Sequence, residues 1–102
     1  METWSPFTRE ELEALIAKQL PSLTVEQREL YDRIKVPLRS VSILRFGSLE
    51  SVYVLAQRGN TAIYYEDVED GFNISDLAPD GSIATPGFEQ WELRHVLHNF
   101  DA

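Results

Sequence analysis

The chain has no cysteine, which rules out both a disulfide framework and a thiolate metal site. It has no apolar run near the roughly 18–20 residues that a bilayer-spanning helix needs. Its first residues, "METWSPFTREELEALIAKQL", contain neither a basic leader nor the unbroken apolar core of a secretory signal. A soluble, cytoplasmic protein is the expectation. Positive charge is the scarcest commodity: between residues 59 and 93 there is no Lys or Arg at all. That tract holds eight acids, Glu66, Asp67, Glu69, Asp70, Asp76, Asp80, Glu89 and Glu92. Residues 1–58 balance eight acids against eight bases, and Arg94 cancels Asp101, so the tract accounts for the whole net charge of −8. Phosphate recognition needs clustered Lys and Arg, so no nucleic-acid partner is expected, and an anionic membrane surface is disfavoured for the same reason.

Chemistry-bearing motifs are missing too. There is no G-x-G-x-x-G, Walker or G-x-S-x-G pattern, so neither a nucleotide cofactor nor a serine nucleophile has support, and no cofactor is expected. Anchored on Gly71, an EF-hand loop would need a ligand where Val68 stands and a Glu where Leu77 stands. A looser divalent site would have to draw on Asp67, Asp70 and Asp76. Glu66 and Asp70 lack any feature that would raise one carboxyl pKa and not the other, as a glycosidase pair requires. His95 and His98 share a helix face at i, i+3, but no HExxH or third ligand accompanies them. The sequon Asn73–Ile74–Ser75 has no secretory signal to give it meaning. No catalytic or metal-binding residue is assigned.

What is present reads as a globular chain. Its 102 residues, 43% of them hydrophobic, suffice for one domain spanning 1–102. Two helices are expected first, over 9–20 and 25–35. Thr8 with Glu11 and Thr24 with Gln27 are capping boxes, and Phe7 with Leu12 has the spacing of a hydrophobic staple. Pro21 ends the first helix and Pro37 follows the second. Strands are expected over 40–46, 51–58 and 61–66, where β-branched and aromatic residues concentrate, with a fourth over 72–77. Gly59–Asn60 is a two-residue hairpin signal pairing Ala56 with Ile63, Val54 with Tyr65 and Val52 with Asp67. A turn around Ser48–Leu49 sets Ile43 opposite Val54 and Val41 opposite Ala56. One sheet face then collects Val52, Val54, Ile63 and Tyr65, and the other Leu44, Phe46, Tyr53, Leu55 and Tyr64. Thr85–Pro86 opens a last helix over 86–99, with Phe88, Trp91, His95 and His98 on the side opposite its core stripe, packed inward, under Trp4 for instance, or left for recognition. The expected fold class is α+β: an antiparallel three- to four-stranded meander with two N-terminal helices and one C-terminal helix.

The function expected from this pattern is that of a small acidic protein-interaction module, of inhibitor or immunity type, that binds a basic protein surface. Concentrated charge steers encounter, and aromatic side chains supply the desolvated anchors. Glu66, Asp67, Glu69, Asp70, Tyr53, Tyr64, Phe72 and Trp91 are the expected partner-binding residues. The likeness to small acidic inhibitors of basic enzymes is one of class and charge. A competing expectation folds Arg33, Arg39, Arg45 and Arg58 back onto the carboxylates, and Arg45, Val52 and Asp67 should align on one face. Two further alternatives are a small-ligand or catalytic pocket lined by Tyr53, Tyr64, Trp91 and His95, and self-association as a homodimer through the second sheet face or an edge strand.

Overall fold

A computed structural model describes residues 7–100; Trp4 and Asp101 lie outside the described residues. Both capping boxes form. Thr8 Oγ1 accepts from the Glu11 N–H at 3.1 Å while Glu11 accepts from the Thr8 N–H at 2.9 Å, which starts α1 (Arg9–Gln19). Thr24 and Gln27 do the same for α2 (Val25–Ile34). A single 3₁₀ turn carrying Pro21 (Leu20–Ser22) separates them. Four strands follow, β1 (Lys35–Arg45), β2 (Ser48–Arg58), β3 (Thr61–Glu66) and β4 (Gly71–Asp76), and then α3 (Leu93–Phe100). The strands form one antiparallel sheet in the order β1-β2-β3-β4, so the fold is α+β with helices and meander as expected. Among the described residues no helix is long and apolar enough to cross a membrane.

Three details of the sheet differ from the expectation, each with a physical cause. β1 begins directly at Lys35, because Pro37 is tolerated on an edge strand, where the missing N–H faces no partner. The β1–β2 turn is Phe46–Gly47, not Ser48–Leu49, so Val41 meets Val52 and Ile43 meets Glu50. In the β2–β3 pair the register slips between Ala56 and Val54, which leaves Val54 opposite Tyr64 rather than Tyr65. That slip is a bulge, and it turns both Leu55 and Ala56 toward the helices. Beyond it the faces exchange: Tyr65 joins Tyr53 on the helix side, while Tyr64 joins Val52 and Val54 on the other.

The sheet therefore has two cores. On one face α1, α2 and α3 pack Leu12, Leu30, Ile34, Leu93 and Val96 onto Leu55, Ile63 and Phe72. On the other, Ile43, Val54, Ala62 and Tyr64 are roofed by the strap 77–92, which lowers Leu77 and Ile83 onto them. The strap stands where the last helix was expected to begin. Its backbone finds partners in the sheet instead of in a helical ladder. Thr85 N–H donates to Ser75 Oγ at 3.0 Å, Gly87 N–H to the Tyr64 hydroxyl at 2.8 Å, and Glu89 N–H to Asn73 Oδ1 at 3.0 Å. Trp91 O accepts from the Phe72 N–H at 2.9 Å. Gly71 makes this seat possible: a Cβ there would lie 2.3 Å from Glu89 O. The strap also touches both sheet edges, since Ile83 N–H donates to Ser42 O of β1 and Ala84 N–H donates to Asp76 O of β4.

Candidate functional site at the β1–β2 hairpin end

In a meander the β1–β2 and β3–β4 turns fall at the same end of the sheet, which brings Phe46–Gly47 beside the acidic turn Asp67–Asp70. Beneath this end lies a buried charge cluster built on Arg45, which is 1% exposed. Its Nε donates to Glu50 Oε1 at 2.7 Å, and its Nη1 bonds Glu66 Oε1 and reaches Asp67 Oδ1 at 3.3 Å. Nη2 lies against Glu50 Oε1 without hydrogen-bond geometry. Asp67 Oδ2 accepts from the Phe7 N–H at 3.1 Å, and Glu66 Oε1 accepts from the Val68 N–H at 2.9 Å. One guanidinium thus ties together the hairpin, the acidic turn and the approach to α1.

Burial lifts the Glu66 carboxyl above its ordinary value of 4.5, against the Val68 N–H and Arg45, which favour the charged form. Its second oxygen, Oε2, is buried without a partner. Burial also works against the Arg45 charge, but its hydrogen bond to Glu50 and the carboxylates of Glu66, Glu50 and Asp67 outweigh that and keep it protonated. The phenols of Tyr64 and Tyr65 are raised, chiefly by burial.

The expected site residues do not form one surface. Glu66, Tyr64 and Phe72 are buried and have no side-chain area to offer a partner; Glu66 neutralises Arg45, Tyr64 anchors the strap, and Phe72 packs edge-on to Tyr65 at 5.1 Å. Asp67 is almost as enclosed. Tyr53 is half-buried with Arg9 above its ring at 5.6 Å, and Trp91 is half-buried where the strap bridges β4. Only Glu69 and Asp70 remain at the surface of the acidic turn. Asp76 and Asp80 lie toward the other end: Asp76 stands opposite Thr61 beside the β2–β3 turn, and Asp80 caps the turn that follows through Ser82. That separation removes the divalent site of Asp67, Asp70 and Asp76. Among the described residues no group of three or more His, Asp and Glu could hold a metal ion.

The expected ligand pocket does not assemble either, because Tyr53 and Tyr64 stand on opposite faces of the sheet. A cavity of about 90 Å³ beside Tyr53, Tyr65 and Phe7 is too small for a metabolite. Trp91 and His95 border a different, open groove of about 390 Å³ between α2 and α3. Of the four arginines, Arg45 does fold back onto carboxylates as expected, but it stands opposite Ser48 rather than in line with Val52, which meets Val41. Arg39 bonds Gln57 instead, and Arg58 lies over the Phe100 ring. Glu69, Asp70, Asp76, Asp80 and Glu89 take part in no ion pair among the described residues.

The surface that stands out joins residues that were not expected to come together. Phe46, Leu49 and Leu44 are 77%, 73% and 61% exposed, and Phe88 and Val68 join them at the same end. Leu44 faces Leu49 across the hairpin, and the Phe46 ring lies 5.5 Å from that of Phe88. Phe46 holds φ at +49° and Gly47 at +77°, the left-handed pair of a type I′ turn. The signal was there in the dipeptide: a glycine in second place is what such a turn requires, and it would have moved Phe46 out of the strand and onto the tip. No protein-family model, no curated protein and no solved structure matches this chain.

Proposed function

We propose that this chain is a small acidic protein-interaction module that docks a basic partner protein through its β1–β2 hairpin end, as an inhibitor or immunity-type protein would. Phe46 is the observation that carries this reading. A bulky aromatic in the left-handed region costs about 1–2 kcal/mol relative to the residues that sit there readily. Contact with Phe88 offsets some of that strain, yet the ring stays 77% exposed. A strained aromatic left mostly in water is what an anchor for a partner surface requires. Glu69, Asp70 and Glu89 around it supply the anionic field that would steer a cationic surface to it.

The test is binding to extract of the cells that make the protein, at low and at high salt, with the natural chain and with the double variant Phe46→Ser/Leu49→Ser. The expected result is a basic partner that the natural chain retains at low salt, loses as salt rises, and that the variant fails to hold despite an unchanged circular dichroism spectrum. A partner that binds both forms equally, or that is acidic, overturns the reading.

A further inference from the structure

The apolar side chains at the hairpin end do not lie on one plane. Leu44 and Leu49 point to the helix side of the sheet, where the helical cover stops: Arg9 sits over Tyr53, and Ser51 and Leu49 extend past it. Phe46 and Phe88 occupy the strap side. From Ser51 to the turn the hairpin continues for about 10 Å at the usual strand rise. Residues 46–49, Phe-Gly-Ser-Leu, carry no charge, and Arg45 at their root is buried and neutralised. The carboxylates stand behind this tongue: Glu50 at its base, and Glu69, Asp70 and Glu89 on the adjoining turn and strap. The result is an uncharged wedge, apolar on both faces, with an acidic collar.

Resting on the docking reading above, we infer that the partner receives this hairpin in a cleft rather than on a flat surface, and that the cleft has apolar walls and a rim of Lys and Arg. A flat partner could desolvate Leu44 and Leu49 or Phe46 and Phe88, but not both pairs, since they face opposite ways. A second copy of this chain fits poorly, because it would bring two acidic collars together. A cationic rim meets the collar only once the wedge has entered, which links burial of the tongue to charge pairing.

Photo-crosslinking tests this with p-benzoylphenylalanine in place of Leu49, in place of Phe88, and, as a control on α1, in place of Ala17, each variant checked for a natural circular dichroism spectrum. The expected result is that the Leu49 and Phe88 positions both attach to one and the same partner chain, at peptides on opposing walls of one concavity flanked by Lys and Arg. The control does not attach, and yield falls with added salt. Separate Leu49→Ser and Phe88→Ser variants each weaken binding about ten-fold. Attachment to a basic partner from one position alone overturns the cleft while leaving the docking reading intact. Attachment to a second copy of this chain, to an acidic protein, or to no partner in a salt-dependent way overturns both.

Discussion

Arg45 is a cation with almost no contact with water, held by three carboxylates, and its removal strands Glu66 and Asp67 in the interior. Losing one side of a buried ion pair costs about 3–5 kcal/mol, so Arg45→Met should lower the urea midpoint sharply. Adding Glu66→Leu should restore part of that loss, because it removes one of the stranded charges. Glu66 also imposes a pH dependence whose sign follows from its raised pKa. The folded state holds this proton more tightly than the unfolded chain. The contribution to stability is therefore fully present below the unfolded value near 4.5 and is lost as pH rises through the higher folded value. Glu66→Gln abolishes this dependence. Urea unfolding at several pH values should show the natural chain gaining on the variant as pH falls toward 4.5. At this scale the sequence showed that acids crowd together near Tyr64 and Tyr65, but not which of them are interior. Carboxylates at 66 and 67 look alike on paper to those at 69 and 70. What sorts them is the distance to Arg45, a residue more than twenty positions away, and that depends on strand register.

Helices and strands were largely readable because local chemistry specifies them. Two capping boxes, two prolines and alternating β-branched residues are signals within a few positions of what they control. The strap was not readable. Thr85–Pro86 is a sound helix opening, yet Asn73, Tyr64 and Ser75, all distant in sequence, claim the backbone groups that a helix would have used. Gly71→Ala tests how closely strap and sheet are seated. With its Cβ 2.3 Å from the Glu89 carbonyl, one of the two must retreat, at a cost of roughly 1–3 kcal/mol. Hydrogen exchange should then accelerate at the Phe72 and Glu89 amides, with α1 and α2 little affected. The hairpin turn invites the opposite experiment. Phe46→Asn gives the type I′ turn a residue suited to φ +49°. It should raise the melting temperature while weakening partner binding, the reverse of what a merely structural aromatic would do.

Taken whole, the molecule measures 41 × 34 × 21 Å, and its acidic tract divides: Glu66 and Asp67 inside, Glu69, Asp70 and Glu89 around the wedge, Asp76 and Asp80 at the far side. The order of charges along the chain shows the excess but not this partition, since a meander returns neighbours in sequence to opposite ends of the sheet. The collar predicts behaviour of the free protein. Copies that approach wedge to wedge repel, so sedimentation equilibrium at low ionic strength should report a monomer, and a dimer there would contradict the charge argument. The strap adds a last consequence. A sheet whose outer strands offer bare amides and carbonyls is a template for endless lateral growth. Here Ile83 occupies a carbonyl of β1, Trp91 and Ala84 occupy both ends of β4, and Pro37 interrupts what is left of the first strand. Edges so occupied leave a second sheet less backbone to pair with, so the protein should not seed fibrils at high concentration despite its apolar tip.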